Sequence, residues 1–388
     1  MNNIEKLIEE LCPNGVRYQK VKEVCTTFSG GFVKKTKQDD SYPYPVFNGG
    51  TTATGYYSEY NTEANSIAIS GRGSIGFVNW VDTKFWAGNS CHVINSNSKL
   101  LNNRFLYHYF KNQEPSLYRM RNTGSIPALN LAPLLEFKVP IPPLKIQNEI
   151  VNILDKFTEL EADLEAELEA RRKQLIHYSE NLCTKDGDRF YEKKQLGEIA
   201  TLIRGRRFVK DDIKDSGVPA IHYGEIYTKY NIKAYKSISY LDAEQAKKLR
   251  KVRSGDVVMV AAGETIEDIG KSVAWLGEED IVIHDACIGI SSEQLDPEFL
   301  AFYFDTFEFR SQLNERITSS KISAISPDKL STTLVPLPKL VEQRNISQKL
   351  SAIFDLIYNY IPNEISARRK QFEYYRDKLL TFKELEAL

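Results

Sequence analysis

Ala170-Arg171-Arg172-Lys173-Gln174 recurs as Ala367-Arg368-Arg369-Lys370-Gln371, 197 positions further along the chain. Around it, Glu167, Tyr178 and Leu182 meet Glu364, Tyr375 and Leu379 at the same offset. Upstream, Val139-Pro140-Ile141-Pro142 meets Val335-Pro336-Leu337-Pro338 at 196, as Cys91, Ile94, Gln147, Ile150 and Leu154 meet Cys287, Ile290, Gln343, Ile346 and Leu350. Nearer the start, Val21-Lys22-Glu23-Val24 is matched by Leu196-Gly197-Glu198-Ile199 at 175, so the second copy carries about twenty extra residues in its first part. An ordered series of matches constrains the architecture before any local feature does. The chain is a tandem repeat, each copy a globular segment, a Val-Pro-hydrophobic-Pro exit and a helix.

The helix of each copy carries a seam. Ile150, Leu154, Phe157, Glu161, Leu164, Leu168, Arg171, Leu175, Tyr178 and Leu182 alternate spacings of four and three, a heptad rhythm with two polar interruptions. Pro140, Pro142 and Pro143 forbid an earlier start. In the second copy Ile346, Leu350, Ile353, Ile357, Ile361, Ile365, Phe372, Tyr375, Leu379 and Phe382 continue the pattern, and Pro362 within it predicts a kink or break. Two such stripes, each behind a globular segment, predict helices that pack on one another.

The globular parts read as mixed α+β. Ser66–Ser70, Phe77–Val81, Val257–Ala261, Ser272–Leu276 and Ile281–His284 look like strands, and Phe105–Asn112 and Pro297–Phe309 like helices. No regular crossover rhythm of a doubly wound sheet is present. No stretch approaches the ~18 uncharged apolar residues of a membrane span, and the charged N-terminus is unlike a secretion signal. Five widely spaced cysteines without a CxxC pair fit free thiols in a reducing cytoplasm.

Two motifs imitate nucleotide sites. Gly71-Arg72-Gly73-Ser74-Ile75-Gly76 spells GxGxxG, but a strand-like run follows it where a dinucleotide site needs a helix. Gly263–Ser272 ends in Gly-Lys-Ser, yet its glycine spacing is too long and it holds three acids that repel phosphate. Both read as strand–loop–strand elements. The five histidines form no HxxxH or HExxH pair, and Cys91 and Cys287 lie in apolar runs that predict burial. No catalytic constellation, cofactor site or metal site emerges.

Basic stretches are more informative. The net charge of −1 hides +5 over residues 1–145, −5 over 146–183, −2 over 184–340 and +1 over 341–388. Arg204, Arg206, Arg207 and Lys210 align with Lys34, Lys35 and Lys37. Lys247, Lys248, Arg250, Lys251 and Arg253 lie where the second copy is longer. Arg119, Arg121, Asn122 and Ser125 are matched by Arg316, Ser319, Ser320 and Lys321. With Arg72 of the GxGxxG turn, these are candidate DNA contacts, arginine suited to base edges and lysine to phosphates.

The whole chain resembles the specificity subunit of type I restriction–modification enzymes. The resemblance rests on the repeat and on the exits Ile141-Pro142-Pro143-Leu144-Lys145-Ile146-Gln147 and Leu337-Pro338-Lys339-Leu340-Val341-Glu342-Gln343, similar to a Pro-Pro-Leu-x-Glu-Gln segment. Ile146 replaces the Glu and Lys339 the second Pro. Thr123-Gly124-Ser125 and the Glu/Leu-rich run Thr158–Leu168 also resemble that family. The resemblance implies a first target recognition domain over 1–143, a central spacer helix over 144–183, a second recognition domain over 184–339 and a C-terminal helical region over 340–388. It implies an antiparallel helix pair whose seam includes Ile150, Leu154, Phe157, Leu164, Leu168, Leu175, Leu182, Ile346, Leu350, Ile353, Ile357, Phe372 and Leu379. The chain would be non-catalytic and cytoplasmic, each domain reading half of a split, asymmetric site in double-stranded DNA. Modification subunits binding S-adenosylmethionine would dock on the helices, with Arg171, Arg172, Arg368 and Arg369 as candidate contacts. Restriction subunits would bring ATP- and Mg-dependent translocation and cleavage. The alternatives are a coiled-coil scaffold that binds protein, whose binding would hardly respond to salt, and an enzyme with an unrecognised site.

Overall fold

The computed structural model describes residues 2–263, 265–318 and 323–385. It divides into two compact units, Met1–Leu164 with Glu364–Leu388, and Glu165–Asn363. Each holds the same antiparallel sheet. In the first unit the strand order is Cys25–Ser29, Cys91–Ser96, Ser66–Ser70, Val78–Val81. In the second it is Thr201–Arg204, Cys287–Ser291, Val257–Val260, Ser272–Trp275, with Lys233–Ala234 added in parallel at the edge. Ser66–Ser70 and Val257–Val260 are buried throughout, which is why they read as continuous apolar runs and not as alternating ones. A smaller sheet completes each copy, pairing Tyr44–Phe47 in parallel with Trp86–Ala87, and Val218–Ile221 in parallel with Ile281–Ile283.

Each globular segment is clasped where the chain enters and leaves it. Arg17–Lys20 pairs antiparallel with Lys138–Ile141, and Lys193–Gln195 with Leu334–Pro336. Just inside each clasp the Val21 amide donates to the Phe137 carbonyl and the Leu196 amide to the Thr333 carbonyl, both at 2.9 Å. The matched prolines of the exit therefore lie in or beside strands, and the helices begin directly after them, at Leu144 and Leu340.

The central helix, Leu144–Thr184, and the C-terminal helix contribute to both units. In the first unit Ile150 and Leu154 are fully buried in one core with Leu379 and Leu380. The Phe157 ring lies 6.1 Å from Phe372 and 5.8 Å from Tyr375, and Arg369 Nε donates to Glu161 Oε1 at 2.5 Å. Numbers rise on one helix as they fall on the other, so the pair is antiparallel. In the second unit Leu175 and Leu182 pack against the core that holds Ile346, Leu350 and Phe354. Ile357 is buried, while Leu164, Leu168, Ile353 and Phe372 are half-buried and Tyr178 is exposed.

The structure gives two expectations a more specific form. The C-terminal helix runs through Pro362: Leu340–Asp355 is followed by a π-helical turn, Leu356–Tyr360, and then by Ile361–Leu380. In a regular α-helix the proline ring would collide with the carbonyl four residues earlier, and the widened turn moves that carbonyl away. Pro297–Phe309 is two helices, Pro297–Phe304 and Phe307–Asn314, because the Thr306 hydroxyl caps the second by accepting from the Phe309 amide.

Candidate nucleic-acid interface

The two nucleotide-site imitations are one element seen twice. Gly71–Gly76 links Ser66–Ser70 to Val78–Val81, and the longer Ala261–Gly270 links Val257–Val260 to Ser272–Trp275. Both close on a left-handed glycine, Gly76 at φ +81° and Gly270 at φ +86°. The Leu129 amide donates to the Gly71 carbonyl at 2.8 Å, and its counterpart Ile325 donates to the Ala261 carbonyl at 2.9 Å. An antiparallel bridge follows beside each hairpin, Asn122 with Ala128 in the first copy and Thr318 with Ala324 in the second. A third equivalent piece is the 3-10 turn Lys35–Lys37, matched by Lys210–Asp212. Ahead of it, Gly30 and Gly205 pass so close to the neighbouring strand that a Cβ would lie 2.1 Å from the carbonyl oxygens of Ala87 and His284.

In the first unit Lys34, Lys35, Lys37 and Arg72 are exposed, with Phe32 exposed beside the lysines. Arg119, Asn122 and Ser125 are exposed as well; Arg121 is half-buried, its guanidinium 3.8 Å above the Tyr118 ring. Asn122 spends its Oδ1 accepting from the Ala128 amide, so it builds the loop whose tip carries Ser125. Behind this rim, Ser29 Oγ donates to His92 Nδ1 at 2.9 Å and His92 Nε2 donates to the Leu129 carbonyl at 2.7 Å. Burial holds the His92 pKa down.

In the second unit the structure joins the two basic runs that the sequence kept apart. Arg206 donates to the Lys248 carbonyl at 2.8 Å and Arg250 to the Arg204 carbonyl at 2.9 Å. Arg207, Lys210, Lys251 and Arg253 are exposed, and Lys247 pairs with Glu244 at 2.5 Å. Arg204 is tied down: its Nε donates to the Asp285 carbonyl and its Nη1 to that of Ile325, the counterpart of the bond His92 makes. Its role in the fold is therefore to anchor the rim. Ser319, Ser320 and Lys321 lie outside the described residues.

Arg207, Phe208, Lys210, His222, Tyr223 and His284 line a cleft of about 660 Å³ at this end of the second unit. The His222 and His284 rings are 4.6 Å apart, with Phe208 edge-on to His284 at 5.0 Å. Burial, reinforced by His284 and Lys210, pushes His222 down to about 4, and burial lowers His284 also. His222 is therefore neutral at physiological pH. A search for metal-ligand spacing passes over these histidines, since they are 62 residues apart; placing the insertions of the second copy would have aligned them with Asn48 and Gly88. Cys91 and Cys287 are buried, and burial raises both thiols, Cys91 to about 12.

Of the helix arginines, Arg171 and Arg368 occupy matched settings, and Arg172 and Arg369 do not. Arg171 bonds Glu167 and Gln174, and Arg368 bonds Glu364 and Gln371. Arg172 pairs with Glu169 at 2.6 Å, and Arg369 with Glu161. No helix among the described residues is long and apolar enough to cross a membrane.

Duplicated rims on duplicated sheets, joined by long helices, define a two-module recognition protein, and solved structures share that fold. The S subunit of a type I restriction–modification system from M. genitalium matches with a TM-score of 0.59, 17% identity and coverage of 94% of this chain and 96% of its own. A chain from a study of complex assembly in the type I system matches at 0.61, with 15% identity over 95% and 98%. A specificity subunit of an Escherichia coli type I restriction enzyme is 28% identical over 398 residues, 92% of this chain and 91% of its own. A Haemophilus influenzae protein named as such a subunit is 30% identical over 87% of this chain and 88% of its own. The family model for the type I restriction modification DNA specificity domain matches twice, at residues 13–170 and 189–367. The chain belongs to that family and serves DNA sequence specificity in a type I restriction–modification system.

Proposed function

We propose that each globular unit reads one half of a bipartite DNA site through its hairpin, bridged loop and 3-10 turn, and that the helix pair sets the gap between the halves. The observation that carries this reading is the duplication of the rim on equivalent backbone with different side chains. A Lys-Thr-Lys turn in the first copy stands where the second has Lys-Asp-Asp. Unlike rims on like frames suit an asymmetric site. Modification subunits supply S-adenosylmethionine and dock on the helices, where Arg171, Arg172, Arg368 and Arg369 present charge. Restriction subunits supply ATP-dependent translocation and cleavage, and this chain performs no chemistry of its own. The complex acts in the cytoplasm, where buried free thiols persist.

The test is methylation mapping in cells that express the chain with its cognate modification subunit. A methylated split motif with a fixed gap is expected. A soluble complex that adds no methylation to any split motif refutes the reading and favours a protein-binding scaffold.

A further inference from the structure

Within the rims, one pair of positions differs in chemistry between the copies while its backbone is held alike. In the first copy the Gly88 amide donates to the Phe47 carbonyl at 2.8 Å; in the second the His284 amide donates to the Ile221 carbonyl at 3.2 Å. Parallel pairing of Phe47 with Ala87 and of Ile221 with Ile283 fixes the same correspondence. The next residue on the first strand is Asn48 in one copy and His222 in the other, so Asn48 faces Gly88 where His222 faces His284. The side chains fit as pairs. A Cβ on Gly88 would lie 1.7 Å from Asn48 Oδ1, whereas His284 fills that space and stacks beside His222.

The hydrogen-bonding groups left over differ in kind. Asn48 Nδ2 donates to Thr54 Oγ1 at 2.9 Å, leaving a second N–H and Oδ1, a donor and an acceptor side by side. His222 Nδ1 accepts from the Gly224 amide at 3.3 Å, so the neutral ring carries its proton on Nε2, beside the cleft lined by Arg207, Lys210 and Asp285. His284 is occupied, its Nδ1 lying 3.1 Å from the Ala286 amide and 3.0 Å from Asp285 Oδ1.

We propose that these equivalent positions read a base edge in each half-site: Asn48, shaped by Gly88, takes adenine, and His222, backed by His284, takes guanine. An amide matches the N6 donor and N7 acceptor of adenine, while a lone donor beside cations matches the O6 and N7 acceptors of guanine. The inference rests on the DNA-reading function proposed above. Methylation motifs are mapped for the wild-type complex and for complexes carrying Asn48→Ala, Asn48→Asp, His222→Ala or His222→Asn. Asn48→Ala is expected to relax one adenine position in one half-site only, and His222→Ala one guanine position in the other, each losing roughly 5- to 150-fold discrimination. Asn48→Asp, which preserves shape, shifts its position towards cytosine; His222→Asn, which installs the first copy's residue, shifts its position towards adenine. These two conservative variants carry the test if the alanine variants do not fold. Unchanged motifs, or equal loss of discrimination in both half-sites, overturn the assignment. Absence of any split motif with the wild-type complex instead refutes the underlying function.

Discussion

Gln147 is fully buried, and its side chain makes three hydrogen bonds there. Its Oε1 accepts from the Asn102 amide at 2.7 Å, and its Nε2 donates to the carbonyls of Leu100 and Pro142 at 2.7 Å. Gln343 repeats this with the Asp296 amide and the carbonyls of Gln294 and Pro338. The glutamine of the exit motif thus ties the start of each helix to its own sheet domain. Gln147→Ala or Gln343→Ala strands buried backbone groups, and a loss of about 2–4 kcal/mol in denaturant melts is expected. His222 gives a pH dependence of definite sign. Its folded pKa of about 4 lies below the ordinary ~6.5, so its contribution is complete above pH ~6.5 and fades as pH falls towards 4. Burial lowers His92, His108 and His284 in the same direction. Asp155, held at about 2 by hydrogen bonds from His108 and Arg104 although burial opposes them, adds a loss only below pH ~4. Melting temperature should fall between pH 7 and pH 5, and fall less in His222→Asn.

At the scale of elements, equivalent strands meet equivalent constraints. Gly30→Ala and Gly205→Ala each drive a Cβ into a backbone carbonyl of the adjacent strand, so each should unfold the rim of its own copy. Proteolysis localised to that copy, with the other resistant, is the expected readout. Much of this level was legible in the sequence. The buried central strands, the heptad seam and the clasp prolines all follow from periodicity and from proline's restrictions, which act locally. The extra residues of the second copy hid the rest. They fall in three places, before Val257, within the Ala261–Gly270 hairpin and between that hairpin and Ile283, so one offset could not align the rims. For that reason the equivalence of Asn48 with His222 and the binding of Arg206 to the Lys248 carbonyl needed the backbone. The π-turn ahead of Pro362 was hidden differently. Ile357, Ile361 and Ile365 step by four twice and all three are buried, a local stretching of the heptad that marks an inserted residue.

For the whole molecule, exchanging recognition between chains depends on where the covalent cuts fall relative to the clasps. Replacing residues 1–139 would cut through Lys138–Ile141, leaving a hybrid strand pair, and would replace the helix Asn2–Leu11, whose Ile4 shares a core with Leu379 and Leu380. Replacing 21–137 keeps both strands of the clasp, that helix and Gln147 native, and breaks the backbone only where the Val21 amide meets the Phe137 carbonyl. Residues 196–333 form the matching cassette of the second copy, bounded by the Leu196 amide and the Thr333 carbonyl. A chain carrying another subunit's equivalent of 21–137 is therefore expected to melt within a few degrees of the parent. It should methylate a motif with one new half-site, the other half-site and the gap unchanged. The 1–139 exchange should melt lower, because its mismatched core contacts at Ile4 forfeit apolar burial of about 1.5–3 kcal/mol. Equal stability of the two exchanges would show that the clasp does not bound the folding unit. A change in the gap with either would show that the helices alone do not set it.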